Sequence, residues 1–332
     1  MNYREDPMTT GVTLLDQFTP YFERIDHELT KVLTSEVALM EEVASYSLMS
    51  TGKQLRPLFF ILSCELCNYR KDDCYSLSTI FECLHVASLL HDDVIDHAPL
   101  RRGKASVTER WGSAAAILVG DFLLSKFFQL VVEKKHLKLL QILTKTATKM
   151  TEGQMLELMN THNWDITKAD YLTIITAKTA ALISAACAGG AIIAGAKHTD
   201  IQSLKDFGLN LGIAFQIIDD VFDYSGSVEE TGKPMGSDLR EGKITLPLIY
   251  VLTDLSSTER TSLQEHFTDR KASDKDYQQV TELVRGKGAI ARCRQDAQEY
   301  VDRAAAQLRF FPDSVIKEYL LRLNQFIVTR SS

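Results

Sequence analysis

Between Pro99 and Pro234 the chain contains no proline, and that long absence constrains the fold more than any other feature. Proline inside a helix removes a hydrogen bond and clashes with the preceding turn. Its exclusion from a stretch rich in Ala, Leu, Ile, Lys, Glu and Thr therefore marks a succession of helices. Leu77, Ile80, Phe81, Leu84, Ser88, Leu89 and Ile95 recur at three- and four-residue steps, as on a buried helix. Sustained period-two alternation is nearly missing, and the short β-branched runs 172–176 and 244–251 are ambiguous and too isolated to build a sheet. The predicted fold class is all-α. Loop signals fall at 69–73, 225–242 and 268–276, after a predicted flexible tail at 1–10. None has the composition of an interdomain linker. The Ala-, Gly- and Ser-rich segment 180–196 suits a helix packed unusually close to its neighbours in a large bundle.

At 332 residues the length alone favours two domains. Lys plus Arg number 37 against 44 Asp plus Glu, a formal charge of −7. That balance argues against a nucleic-acid partner, which needs a basic footprint. Any strongly anionic ligand must then be met by local cations or by metal. No segment reads as a membrane span: 180–196 falls short of the roughly 20 residues required, and 114–132 is interrupted by Asp121 and Lys126. The N-terminal residues lack the apolar core of a signal peptide. The expected location is cytoplasmic, with the six cysteines as reduced thiols. Cys64-x-x-Cys67 has no second Cys or His pair at zinc-site spacing.

Two aspartate clusters carry the chemistry. Asp92, Asp93 and Asp96 form Asp-Asp-x-x-Asp, and Asp219, Asp220 and Asp223 repeat it. Residues i and i+4 share a helix face, so Asp92 projects with Asp96, and Asp219 with Asp223. Each cluster follows an apolar run (87–90 and 213–218). Carboxylates at the end of a core helix are costly to desolvate unless they are paired or bind metal. With no thiolate or imidazole demanded, they suit Mg²⁺, which retains waters and shares substrate phosphates. Two such ledges facing each other would hold several ions around a diphosphate.

Cations complete the pattern. Lys53 and Arg56 stand three apart in Gly-Lys-x-x-Arg-Pro, Arg101 and Arg102 follow Pro99, and Lys233 and Lys243 each follow a glycine beyond the second cluster. Lys178 and Thr179 offer a point charge and a hydroxyl in a mid-chain helix. His85 precedes Asp92 by nearly two turns on almost the same face, about 10 Å along the axis, room for a second anion beside the first. Jointly these residues make a site for two diphosphates.

The combination of Gly-Lys-x-x-Arg-Pro, Leu-Leu-His-Asp-Asp-x-x-Asp with Arg-Arg-Gly, Gly120-Asp121, Phe-Gln-Ile-x-Asp-Asp-x-x-Asp and Gly-Lys-x-x-Gly-x-Asp resembles the trans-isoprenyl (polyprenyl) diphosphate synthase family. The similarity runs over residues 52–248, with a weaker helical match outside. The resemblance implies one domain over 1–332, a large bundle of antiparallel helices around a deep cavity, as a homodimer. It implies condensation of an allylic diphosphate with isopentenyl diphosphate, assisted by about three Mg²⁺ ions per site. Asp92, Asp96 and Asp219 are the implied metal ligands. Asp93 and Asp223 give outer support, and Asp220 and Lys178 are counted with the catalytic set. Arg101, Lys178, Lys233 and Lys243 would hold the allylic diphosphate, and Thr179 and Gln216 neighbour the carbocation. Lys53, Arg56, His85 and Arg102 would hold isopentenyl diphosphate.

On the helix before Asp92, Phe81, Leu84, Ala87 and Ser88 are the implied chain-length residues. Small groups at 87 and 88, where shorter-chain farnesyl and geranylgeranyl enzymes carry an aromatic, imply an open tunnel and a product of about C30 to C50. Rival readings are a shorter-chain synthase, a helical metal-dependent phosphohydrolase using His27, His85 or His97, and a non-catalytic subunit. Phosphohydrolases need further histidines and leave the second cluster unexplained. Non-catalytic subunits tend to lose a cluster that this chain keeps. Terpene cyclases carry an Asn/Ser/Glu-type second motif that is absent here.

Overall fold

Proline and side-chain caps lay out the helices of the structure, a computed structural model that describes residues 11–49, 53–101, 103–225, 236–267 and 272–330. After the short α1 (Gly11–Asp16), Pro20 occupies the first turn of α2 (Thr19–Val32), where a missing N–H costs nothing. The Ser106 side chain caps α6 (Val107–Trp111), and Thr167 with Asp170 forms a capping box at α9 (Lys168–Ile175). The remaining long helices are α3 (Ala38–Met49), α4 (Leu55–Leu66), α5 (Asp73–Ile95), α7 (Ser113–Glu133), α8 (Leu137–Met159), α10 (Ala181–Ile193) and α11 (His198–Ser225). After α12 (Ser237–Arg240) and α13 (Leu246–Asp254) come α14 (Ser257–Phe267), α15 (Asp274–Gly286), α16 (Ala289–Gln307) and α17 (Val315–Thr329). The all-α expectation holds. A two-residue antiparallel pair, Leu100–Arg101 with Lys104–Ala105, is the one sheet among the described residues.

The apolar residues gather in two clusters. One is built on α9 to α11, α13 and α15 to α17, the other on α2, α3, α5, α7 and α8. Helices α4 and α10 belong to both. Leu58 and Leu62 of α4 face the first and Phe60 and Ile61 the second, while Ile183 and Cys187 of α10 oppose Leu182 and Ala186. The Ala/Gly/Ser stretch explains how these central helices meet. A Cβ on Gly190 would lie 2.4 Å from the Phe60 carbonyl oxygen, so only glycine allows the contact.

Between α9 and α10 the helix widens into a π turn at Thr176–Ala180. Such bulges re-aim side chains within a helix, and this one carries Lys178 and Thr179. Both ambiguous β-branched runs are largely helical: 172–175 lies in α9 and 246–251 in α13. Residues 274–276, expected in a loop, begin α15 around a Ser273–Asp276 capping box. The tail 1–10 and most of the other two glycine- and charge-rich loops, 226–235 and 268–271, lie outside the described residues.

The two apolar segments are longer as helices than their sequence punctuation suggested. Two continuous helices, Ser113–Glu133 and Lys168–Ile193, are long and apolar enough to cross a bilayer by length and composition. Punctuation by Asp121 and Lys126 does not break α7, and α9 runs on through the π turn into α10. The second stretch is mostly buried in the core, whereas only about a third of α7 is. Burial pushes the Cys67 and Cys74 thiols up to about 12, and all six cysteines are free.

Candidate active site

The first aspartate cluster closes the C-terminal end of α5, and helical spacing divides its members. Asp92 and Asp96 face inward. Lys178 Nζ approaches Asp92 to 3.8 Å, and Lys243 Nζ donates to Asp96 at 2.8 Å. Burial is the main force raising the Asp92 carboxyl above its ordinary range; Glu157 and Asp96 add to it, while Lys178 and Lys243 oppose it. Asp93, 100° around the helix, is buried on the other side, where the Arg101 guanidinium donates to Oδ1 from both Nε and Nη2. His91 lays its ring on α7 at Gly120, where a Cβ would sit 2.4 Å from Nε2.

The second cluster ends α11 and also splits. Asp219 pairs with Arg330, a residue just past α17 whose guanidinium also lies over the Phe215 ring at 4.2 Å. Asp220 is fully enclosed, accepting from the Tyr171 hydroxyl at 2.6 Å and the Gln216 amide at 2.8 Å. Burial pushes its carboxyl up to about 7 against the pull of those hydrogen bonds. Asp223 accepts from the Ser237 backbone N–H at 2.9 Å, from its hydroxyl at 2.6 Å and from the Asp238 N–H at 3.2 Å, so it caps α12. That cap anchors the segment leading to Lys243. Gly242 is required there, since φ is +80° and a Cβ would meet the His162 ring at 2.6 Å.

The clusters are joined by a polar wall. Thr179 donates to the Gln216 side-chain oxygen at 2.8 Å. One pocket of about 150 Å³ is lined by Lys178, Thr179, Gln216, Asp220, Asp238 and Lys243. On the other side of Lys178 and Thr179 a cavity of about 300 Å³ runs below Asp92, bounded by Arg56, His85, Leu84, Ser88, Leu124, Met150 and Leu182. Arg56 and His85 thus share a cavity with Asp92, as their spacing suggested. Lys53 does not line this cavity; its ammonium lies over the Phe326 ring at 5.7 Å.

Two sequence expectations differ from the geometry. Arg101 lines a small pocket with Asp93, Tyr46 and Ser106 rather than the cavity, because the hairpin turns its guanidinium onto Asp93. Ala87 is fully buried in the core on the flank of α5 and does not line the cavity, whereas Leu84 and Ser88 do. Phe81 lies deeper, against Phe60 at 5.1 Å between ring centroids. Arg102 and Lys233 lie outside the described residues.

Three contributors escaped the sequence reading, Glu157, Tyr171 and Arg330, and Asp238 entered it only as the last residue of the Gly-Lys-x-x-Gly-x-Asp motif, with no role assigned. Glu157 had a local signal, since it stands three residues after Gln154 and one turn from Gly153, a glycine within a helix. Arg330 had none, lying 111 residues from Asp219.

The donor set fits a hard divalent cation. Asp92, Asp96 and Asp219 offer carboxylate oxygens, and each is faced by a cation of the chain itself. Among the described residues no group of three or more His, Cys, Asp or Glu forms a ready-made cage. Ions here would complete their coordination with water and substrate oxygens, the habit of Mg²⁺ rather than of a structural zinc.

Residues 37–284 match the polyprenyl synthetase family profile. The octaprenyl diphosphate synthase of Escherichia coli K12 is 34% identical over 306 residues, covering 92% of this chain and 94% of that one. The all-trans-nonaprenyl-diphosphate synthase (geranyl-diphosphate specific) of Rhodobacter capsulatus is 34% identical over 93% and 94%. Among solved structures, a polyprenyl synthase from Caulobacter crescentus CB15 complexed with calcium and isoprenyl diphosphate superposes with a TM-score of 0.92. It is 37% identical, and the match covers 98% of this chain and all of that one.

Proposed function

The chain belongs to the polyprenyl synthetase family, and from that premise we propose that it condenses an allylic diphosphate with successive isopentenyl diphosphates. Its product is a long-chain all-trans-polyprenyl diphosphate of about C30 to C50, formed with release of pyrophosphate. One observation carries this reading: Lys178 and Thr179 stand between the cavity that holds Asp92, Arg56 and His85 and a second pocket lined by Gln216 and Asp220 of the other aspartate helix and by Lys243, which holds Asp96.

We assign about three Mg²⁺ ions to Asp92, Asp96 and Asp219. When bound, they neutralise the departing diphosphate and hold it in place. The protein supplies the rest. Lys178 and Lys243 grip the allylic diphosphate. Thr179 and Gln216 present oxygen dipoles toward the allylic carbon as positive charge develops. Gln216 can do so because its amide nitrogen is tied to Asp220 and its oxygen is oriented by the Thr179 hydroxyl. Arg56 and His85 hold isopentenyl diphosphate without metal, placing its double bond against the allylic carbon, and loss of a proton ends each cycle. Arg101 acts on Asp93, stiffening the helix end that presents Asp92 and Asp96. The growing chain descends past Ser88 and Leu84 toward Met150, whose flexible side chain can yield.

The remaining assignments follow from packing and charge. Helices α4 and α10, shared by both apolar clusters, support reading 1–332 as one domain. On α7, Leu118 and Val132 are about 60% exposed, with Ile117 and Phe128 beside them; a second copy of the chain covers this face in a homodimer. The enzyme works in the cytoplasm on lipophilic products, with no nucleic-acid partner.

Incubation with farnesyl diphosphate, labelled isopentenyl diphosphate and Mg²⁺, followed by chain-length chromatography, should yield products of six or more isoprene units. No labelled extension product would sink the assignment. Arg330 adds a check on Asp219 as a ligand: Arg330→Gln should lower the Mg²⁺ concentration for half-maximal turnover severalfold, because a competing cation leaves Asp219. An unchanged or higher requirement would remove Asp219 from the ligand set.

A further inference from the structure

A carboxylate outside both aspartate motifs sits at the centre of the charged cluster. The Glu157 Oε2 accepts from Lys178 Nζ at 2.5 Å and lies 3.9 Å from Lys243 Nζ. The same two lysines reach Asp92 and Asp96, so a continuous chain of opposite charges runs Asp92, Lys178, Glu157, Lys243, Asp96. All five side chains are at most 23% exposed. Lys178 comes from the π turn and Lys243 from the loop after α12. Nothing covalent sets their separation; Glu157 is the carboxylate that faces both, while Glu241 accepts from Lys243 alone at 2.7 Å.

We propose that Glu157 is a positioning residue that holds Lys178 and Lys243 side by side, at the spacing needed to grip one allylic diphosphate. This rests on the prenyl-transfer reading above. Two further observations support it. Helix α8 approaches the π turn so closely that a Cβ on Gly153 would lie 2.6 Å from the Lys178 backbone nitrogen. The Glu157–Lys178 contact is therefore braced by backbone packing and is not a chance meeting of long side chains. Lys243 is held from a further side as well, where Glu241 accepts from its ammonium at 2.7 Å, so carboxylates outside both aspartate motifs engage each lysine.

The physical need is specific. Once dications occupy Asp92 and Asp96, those carboxylates share their charge with metal, and the metal repels both ammoniums. Glu157, already engaged by the two lysines, is the anchor that keeps them in place. It serves the lysines and is not a metal ligand.

The test uses the full chain in steady-state assays that vary farnesyl diphosphate, isopentenyl diphosphate and Mg²⁺ separately. Glu157→Gln keeps the shape and loses the charge. Its KM for the allylic substrate should rise about tenfold, the scale of one charge-assisted hydrogen bond misplaced. The KM for isopentenyl diphosphate and the half-saturating Mg²⁺ should stay within about twofold of wild type. Glu157→Asp, which keeps the charge on a shorter arm, should recover most of the loss, and it carries the test by itself if the Gln variant does not fold. An unchanged allylic KM overturns the proposal. So does a shifted Mg²⁺ requirement, which would make Glu157 a metal ligand, or a parallel rise of both KM values with a lower Tm that Asp does not rescue, which would make it merely structural. Wild-type protein that elongates nothing defeats the underlying reading instead.

Discussion

Asp92→Ala is expected to lower kcat/KM by about a thousandfold while leaving the helical circular dichroism spectrum and the Tm unchanged. A bound dication supplies several kcal/mol of charge stabilisation to the leaving diphosphate, and about 4 kcal/mol corresponds to about three decades in rate. Stability is spared because burial already opposes the charged form of Asp92, so its loss relieves a desolvation cost, and Lys178 keeps Glu157 as a partner. The adjacent Asp93→Ala should differ by costing stability as well as turnover. Asp93 is 3% exposed and accepts from both donors of the Arg101 fork. Its removal leaves a guanidinium unpaired at a cost of about 3 kcal/mol, read as a clear drop in Tm. Kinetics and thermal melts on the two variants check both halves. Near wild-type turnover in Asp92→Ala would contradict its role.

Ser88→Phe should shorten the product by several isoprene units. Ser88 stands one turn before Asp92 and lines the cavity of about 300 Å³. A phenyl ring there fills much of the passage between Leu84 and the diphosphate end, so the chain is released after one or two additions. Ala87→Phe is the informative neighbour. Ala87 is wholly buried in the core, so a ring there overpacks the flank of α5, costing about 1–3 kcal/mol, with little change in the length of what is made. Chromatography of products from both variants separates the two positions. Unchanged length in Ser88→Phe would place the tunnel elsewhere.

The neighbouring fates of residues 87 and 88 show where a sequence stops being legible. Helical periodicity orders side chains around α5, but a step of 100° can separate cavity from core, and the positions of α7, α8 and α10 around the cavity decide between them. The aspartates were readable because chemistry demands carboxylates at i and i+4 after an apolar run, and Arg56, His85, Lys178 and Lys243 were readable beside them. Their partners were not. Lys243 reaches Asp96 across 147 residues, and Arg330 reaches Asp219 from beyond the last helix; no local pattern encodes such pairs. The same holds for Arg101, whose charge suggested a phosphate ligand until the hairpin placed it on Asp93. The π turn is likewise invisible in composition, since Thr-Ala-Lys-Thr-Ala is an ordinary helical string. The all-α class was the easiest to read, because proline exclusion and three-to-four spacing extend over long segments.

The central claim is that two separate carboxylate ledges grip divalent cations over one diphosphate. Crystals grown with Mn²⁺ and an unreactive allylic diphosphate analogue, measured at a wavelength where manganese scatters anomalously, test it directly. Anomalous peaks should appear at both Asp92/Asp96 and Asp219, bridged by the analogue's diphosphate, with Arg330 withdrawn from Asp219. Peaks at one cluster alone, or a diphosphate bound with no ion beside it, would contradict it.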